Sequence, residues 1–122
     1  MIRTGIDIVE IARIERLQLR HAARFTERVF TATELAQADG RAAQLAGRFA
    51  AKEAAMKLLG TGRKGIGWRA IELVNDRNGC PSLRLHDGAR ERAAELGVEN
   101  IAISVTHSAG VAVAVAVAES AV

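Results

Sequence analysis

The sequence predicts an α+β fold in which helices pack against a mostly antiparallel sheet. Three observations favour this class. Apolar residues alternate over residues 2–9, good helix formers fill residues 41–59, and two hairpin-like segments follow in the second half of the chain. A chain of 122 residues can bury one core of ordinary size but not two. We therefore expect residues 1–122 to form a single domain.

A strand and an amphipathic helix begin the chain. Ile2, Ile6 and Ile8 share one parity of the strand, which directs Asp7 to the opposite face near the strand's end. Over residues 10–25 the apolar residues recur with helical spacing and collect on one side. The other side carries a basic stripe, formed by Arg13, Arg16, Arg20 and Arg24. Such a stripe alone is more typical of a solvated helix face than of a binding surface.

Two further helices are predicted before the middle of the chain. Thr31 and Glu34 have the spacing of a capping box, which indicates the start of a short helix. Residues 41–59 are rich in Ala, Leu, Lys, Glu and Met, which all favour a helix. Gly60 follows, and we expect the helix to end there because glycine adopts the left-handed conformation at little cost.

The second half of the chain predicts two hairpins separated by a helix. The expected strands comprise residues 71–74 and 83–85 in the first hairpin and residues 101–105 and 111–117 in the second. The helix between them covers residues 87–96 and is expected to end at Gly97. His107 falls in the predicted turn of the second hairpin. Valine and alanine alternate in the last strand, which indicates a strand covered on both faces.

Composition excludes several classes of protein. The chain is 49% hydrophobic and 25% charged, so a disordered or fibrous protein is not expected. Its longest apolar run is far shorter than the roughly 20 residues of a membrane-spanning helix. Cys80 is the only cysteine and no secretion signal is recognisable, which predicts a reducing cytoplasm. The net charge of +3 favours anionic partners, whereas the scarcity of aromatic residues argues against binding to single-stranded nucleic acid.

The helix over residues 41–59 carries the first candidate residues for catalysis. Glu53 lies at the margin of its apolar stripe, and Lys57 lies one turn later on the same face. A stabilising surface pair is the commoner meaning of this spacing. Other cations lie nearby, however, and they include Arg48, Lys52 and the loop residues Arg63 and Lys64.

This group of charges suits phosphate chemistry, in which bases hold the phosphate and an acid holds a divalent cation. Residues 60–67 also contain four glycines, which would let the backbone approach an anion closely, although an ordinary loop explains them equally well. We interpret Lys52 mainly as a structural lysine, because it lies within the apolar stripe and its head can reach solvent along it.

A magnesium site needs a further ligand, because Mg²⁺ commonly takes one or two carboxylates together with phosphate oxygens and water. Asp7 is the best candidate for the second acid, although an aspartate at a strand end is more often a turn or cap residue. His107 could donate a hydrogen bond to an anion, although a lone turn histidine is usually solvated. No spacing predicts a zinc site or a serine triad.

Three segments together resemble the holo-acyl-carrier-protein synthase group of 4'-phosphopantetheinyl transferases. They are GIDIVEIARI at residues 5–14, LAGRFAAKEAAMKLLGTG at residues 45–62, and ISVTHS at residues 103–108. The resemblance spans nearly the whole chain, and its order and spacing make it specific. It implies a 4'-phosphopantetheinyl transferase-like fold, Mg²⁺ as the metal, coenzyme A as the donor, and a serine of acyl carrier protein as the acceptor. Adenosine 3',5'-bisphosphate is the implied by-product.

The resemblance also implies roles for residues at matching positions. Asp7 and Glu53 would bind the metal on the diphosphate of coenzyme A, Lys57 would contact that diphosphate, and Arg48 and His107 would face the 3'-phosphate. Glu53 is in addition a candidate general base for the serine proton. In the longer two-domain members of the superfamily a second acid stands two residues after the first, and here that position is Val9.

The implied assembly is a homotrimer with sites between neighbours, in which His107 of one chain faces Asp7 and Glu53 of another. Acyl carrier proteins are strongly acidic, so the basic stripe would dock them. The alternative function is a non-catalytic basic module that binds an acidic protein or nucleic acid. A nucleotide hydrolase is disfavoured because the GxxxxGK[ST] loop is absent.

Overall fold

The computed structural model describes residues 1–61 and 64–122, so Gly62 and Arg63 of the predicted anion-binding loop lie outside the described residues. The elements in chain order are the strand β1 (Ile2–Glu10), the helices α1 (Ile11–Val29), α2 (Ala32–Ala38) and α3 (Ala42–Leu59), a 3-10 turn (Trp68–Ala70), the hairpin strands β2 (Ile71–Asn75) and β3 (Pro81–Leu85), the helix α4 (Asp87–Leu96), and the strands β4 (Ala102–Ser108) and β5 (Val111–Glu119). The predicted α+β class is confirmed. Among the helices that the structure describes, none combines the length and the apolar character needed to cross a membrane.

The main sheet has three antiparallel strands in the order β1-β5-β4, and β2 and β3 form a separate antiparallel pair. One face of β5 consists of alanines that are at most 4% exposed: Ala112, Ala114, Ala116 and Ala118. These small side chains let α3 lie close against the sheet. α3 is buried on nearly every side, because α1, α2 and β2 pack around the part that the sheet leaves open.

β1 crosses α3 in direct backbone contact. A Cβ atom built on Gly5 would lie 1.8 Å from the carbonyl oxygen of Ala54, so only glycine fits at the crossing. Asp7 follows two residues later and therefore faces the same helix. The prediction that Asp7 lies opposite to Ile6 and Ile8 is confirmed by the exposure of both isoleucines on the other face.

The outer sheet face is exposed in the single chain. It includes Ile2, Ile6 and Ile8, which are 59–63% exposed, and Val115 and Val117, which are each 37% exposed. The prediction that the last strand is covered on both faces is therefore wrong for one chain, because only the alanine face meets α3. On the valine face, Val111 and Val113 are partly buried, whereas Val115 and Val117 are exposed.

Two further predictions need correction. α1 extends beyond the predicted residues 10–25 to Val29, because the chain kinks at Ala22 (φ 41°, ψ −124°) and then resumes the helix. His107 does not lie in a turn but in β4, paired with Ala112, because the turn contains only Ala109 and Gly110. Both turn residues have positive φ, as a two-residue hairpin turn requires.

Candidate active site

Asp7 and Lys57, which lie fifty residues apart in sequence, come together where β1 crosses α3. Lys57 Nζ donates hydrogen bonds to Asp7 Oδ1 at 3.2 Å and to the carbonyl oxygen of Ile6 at 2.9 Å. The Asp7 side chain is 17% exposed and that of Lys57 is 55% exposed. The pair therefore stands at the edge of the core, open to a ligand from one side.

Glu53 lies one turn before Lys57 on the same side of α3 and is half-buried. Because Lys57 reaches Asp7, the two predicted carboxylates and the lysine lie around one crossing of strand and helix. Among the residues that the structure describes, no group of three or more acidic, histidine or cysteine side chains has metal-binding geometry. A Mg²⁺ ion held by two carboxylates would keep coordination positions for phosphate oxygens and water. This donor set fits a Mg²⁺ ion shared with a phosphate-containing substrate better than one held by the protein alone.

Arg48 and His107 lie together at another cavity, of about 400 Å³, whose lining does not include Asp7, Glu53 or Lys57. Arg48 is only 2% exposed, and its guanidinium donates to Gln44 Oε1 at 3.0 Å and to Gln37 Oε1 at 3.3 Å. Among the described residues, its Nε atom has no hydrogen-bond partner. Burial lowers the pKa of Arg48, an effect that the charge of Glu34 partly offsets. A buried cation with an incomplete set of partners is suited to an anionic ligand.

Polar lining residues of this cavity that were not predicted from the sequence include Gln37, Gln44 and Asn75. Gln37 Oε1 accepts from the backbone N–H of Asn75 at 3.0 Å as well as from Arg48, so it joins α2, α3 and β2. A spacing of 38 residues between Gln37 and Asn75 gives no periodic signal. Only Gln44, one turn before Arg48 on a predicted helix, could have been found by sequence reasoning.

The basic stripe divides into two parts. All four arginines are exposed, but only Arg13 and Arg24 line a cavity of about 500 Å³, which we name the docking cavity for the role that we propose for it. The apolar lining of the docking cavity comprises Leu17, Phe25, Val29, Phe49 and Trp68. Arg13 lies over the ring of Phe49, 5.7 Å from its centroid. Two basic residues of this cavity were missed: His21 lies beside the predicted stripe, and Arg28 lies beyond the predicted end of the helix at residue 25.

The prediction that the head of Lys52 reaches solvent is wrong, because its side chain is fully buried. Its ammonium lies 2.6 Å from Glu34 Oε1 in a pair that is 0% exposed on both sides. The predicted capping box is confirmed, because Glu34 accepts from the N–H of Thr31 and Thr31 accepts from the N–H of Glu34. Burial lowers the pKa of Lys52, although the charge and the hydrogen bond of Glu34 oppose the shift. Glu34 thus serves as a helix cap and as the partner of a buried cation.

Known proteins resemble this chain over nearly its whole length. A family model described as the 4'-phosphopantetheinyl transferase superfamily matches residues 3–116. A holo-acyl-carrier-protein synthase of Herpetosiphon aurantiacus is 46% identical over 121 residues, which cover 93% of this chain and 95% of that protein. One from Moorella thermoacetica is 47% identical over 123 residues, which cover 98% of this chain and 95% of that protein.

Solved structures give the same picture of the fold. The structure of Helicobacter pylori holo-acyl-carrier-protein synthase in complex with coenzyme A superposes with a TM-score of 0.87 at 32% identity, covering 95% of this chain and 99% of that chain. The Neisseria meningitidis enzyme superposes with a TM-score of 0.88 at 35% identity, covering 98% of this chain and 99% of that chain. The backbone path of this chain is therefore similar to theirs over nearly its whole length.

Proposed function

Because this chain belongs to the 4'-phosphopantetheinyl transferase superfamily and to its holo-acyl-carrier-protein synthases, we propose that Asp7 and Glu53 hold a Mg²⁺ ion on the diphosphate of coenzyme A. The enzyme transfers the 4'-phosphopantetheine group of coenzyme A to a serine of apo acyl carrier protein and releases adenosine 3',5'-bisphosphate. The observation that carries the site assignment is the contact between Asp7 and Lys57 across β1 and α3. This contact brings a carboxylate and an ammonium group together at an open edge of the core.

The reaction requires stabilisation of negative charge on phosphate oxygens. The serine oxygen forms a bond to the phosphorus that carries pantetheine, and the bond from that phosphorus to the bridging oxygen breaks. Lys57 would stabilise the departing phosphate with its ammonium group. Glu53 would accept the serine proton, directly or through water, as the general base. Mg²⁺, when bound, would supply further neutralisation of the phosphate charge.

We assign the 3'-phosphate of coenzyme A to the cavity that contains Arg48 and His107. Support comes from the buried guanidinium of Arg48, whose hydrogen-bonding capacity is incomplete in the described part of the chain. The side chain of His107 is exposed at the same cavity and can donate a second hydrogen bond. A doubly charged phosphate would satisfy both groups.

We propose that three chains assemble into a homotrimer through the outer sheet face. Its exposed isoleucines and valines form an apolar surface on β1 and β5 that a soluble monomer would not usually retain. Covering it with a neighbour would bury the valine face of β5. In the same proposed assembly, His107 near the end of β4 would face Asp7 and Glu53 of another chain. Each active site would then be shared between two subunits.

We propose that acyl carrier protein binds at the docking cavity, beside α1 and α3. Arg13, Arg24 and Arg28 offer positive charge at its rim, and Phe49 and Trp68 offer an apolar floor. An acidic helix that presents one apolar side chain would match both features. Phe49 lies one turn before Glu53 on the same side of α3, so the docking cavity adjoins the proposed catalytic carboxylate.

We also propose a domain organisation and a location for the protein. Residues 1–122 are proposed to form one transferase domain, since a single hydrophobic cluster includes residues from Val9 to Ala118. A cytoplasmic location is proposed because Cys80, the only cysteine, is a free and exposed thiol.

A mass measurement tests the proposed function. The protein is incubated with coenzyme A, Mg²⁺ and an apo acyl carrier protein, and the carrier is then analysed by intact-mass spectrometry. A gain equal to one phosphopantetheine group, dependent on both coenzyme A and metal, is expected. Absence of this gain with several carriers would contradict the proposal. The Asp7→Asn variant, which keeps the side-chain shape, is the matched control for the metal site and should transfer far more slowly.

A further inference from the structure

The ammonium group of Lys52 joins three separate elements inside the core. It donates to Glu34 Oε1 on α2, to the carbonyl oxygen of Trp68 at 3.2 Å in the 3-10 turn, and to the carbonyl oxygen of Ile71 at 2.5 Å at the start of β2. All three N–H donors of the lysine are therefore used. An apolar side chain of the same length would fill the space but would leave these oxygens without this donor.

The carbonyl group of Trp68 connects this buried network to the wall of the docking cavity. The indole ring of Trp68 stacks on Phe49 with 5.0 Å between ring centroids and an angle of 29° between the planes. Both rings line the docking cavity. Lys52 is thus bonded to the backbone of the residue whose ring forms the cavity floor, and it precedes Glu53 directly in the chain.

We propose that Lys52 is a positioning residue that holds Trp68 against Phe49 and thereby shapes the floor on which the acyl carrier protein docks. The proposal rests on the proposed function, because it assumes that the carrier occupies the docking cavity. Lys52 touches neither substrate in this scheme and acts through the carbonyl oxygen of Trp68. The cavity of Arg48 and His107 is lined by other residues, so coenzyme A should not depend on Lys52 in the same way.

The experiment uses Lys52→Met combined with Glu34→Gln, which removes the buried charge pair without leaving either charge unpaired. Trp68 is the only tryptophan, so intrinsic fluorescence reports its surroundings directly. We expect red-shifted emission, stronger quenching by acrylamide, and a KM for apo carrier protein that rises about tenfold. The KM for coenzyme A should change less than twofold. A merely structural role would lower the active fraction and would not raise the carrier KM selectively.

Leu96→Ala is the matched control, because Leu96 is buried at the end of α4 farthest from the 3-10 turn. It should lower stability and leave Trp68 emission and the carrier KM unchanged. If the double variant does not fold, Lys52→Gln in the same Glu34→Gln background replaces it; the shorter glutamine amide has two N–H donors for three oxygens, so a smaller red shift is expected. Unchanged emission in a folded variant, or changed emission with an unchanged carrier KM, would overturn the proposal. Failure of the proposed function would show separately, as no transfer by the wild-type enzyme.

Discussion

The backbone of β1 rests on α3 at Gly5 and Ala54, where an added Cβ would lie 1.8 Å from the carbonyl oxygen of Ala54. Because the obstacle is helix backbone, a rotamer change cannot relieve it. We expect Gly5→Ala to lower the free energy of unfolding by about 3 kcal/mol, as measured by urea denaturation. Gly67→Ala is the control, since in the described part of the chain no atom beyond the adjoining residues lies within 4 Å of a Cβ at Gly67, and its φ of −76° suits alanine. Similar losses in both variants would show that the crossing is not the cause.

Neutralising Asp7, a proposed metal ligand, should change the metal dependence of transfer. We expect Asp7→Asn to raise the Mg²⁺ concentration for half-maximal activity at least about tenfold, because a neutral amide is a weaker ligand than a carboxylate. Glu10→Gln is the control, because Glu10 is an exposed acid on the same strand with no role in the proposed site. The measurement is the initial transfer rate as a function of metal concentration. Equal shifts in the two variants would remove Asp7 from the metal site.

The role of His107 can be separated by comparing coenzyme A with dephospho-coenzyme A, which lacks the 3'-phosphate. We expect His107→Ala to lower kcat/KM for coenzyme A about tenfold or more, the usual effect of losing a hydrogen bond to a charged group. The rate with dephospho-coenzyme A should change little. The two substrates thus serve as controls for each other. An equal loss with both would mean that His107 does not contact the 3'-phosphate.

The division of the basic stripe predicts unequal effects of charge reversal. Arg13→Glu should raise the KM for the carrier protein about tenfold, because Arg13 lines the docking cavity and lies over Phe49. Arg16→Glu changes the net charge equally but lies outside the cavity, so its effect should be small and should disappear at high salt. Steady-state kinetics at two ionic strengths distinguishes the two variants. Equal effects would favour general electrostatic steering over local docking.

Ala22 holds a backbone conformation that glycine adopts more easily, with a φ of 41° and a ψ of −124°. We expect Ala22→Gly to raise stability by about 1 kcal/mol, because relief of the strain exceeds the entropy cost of glycine. Ala23→Gly is the matched control in the same helix and should lower stability by roughly 0.7 kcal/mol. Thermal unfolding of both variants measures the difference. A loss of stability in Ala22→Gly would contradict the assigned kink.

Much of the fold follows from local chemistry in the sequence. Gly60 and Gly97 end α3 and α4 in the left-handed conformation, and Thr31 with Glu34 begins α2, as predicted. These features depend on residues a few positions apart, which is why the sequence reveals them. The turn around His107 was predicted too long, because a run of Thr, His and Ser resembles a loop when the partner strand is not considered.

The parts of the site that were missed depend on contacts between distant residues. Lys52 is buried because Glu34 and two carbonyl oxygens surround it, and no spacing rule joins α2 and β2 to that lysine. Gln37 supports Arg48 from another helix for the same kind of reason. The recognised motifs supplied candidate residues, whereas their partners required the folded chain.

The exposed apolar residues of the outer sheet face affect the solubility of each newly synthesised chain. Until Ile6, Ile8 and the valines of β5 are covered, the chain exposes an apolar strand surface of the kind that promotes aggregation. Covering it by association is a second-order process, so its rate depends on how many chains are present at once. In the proposed homotrimer, protection from aggregation and completion of the active site would therefore depend on the same encounter. The yield of working enzyme would rise more steeply than the amount of protein made.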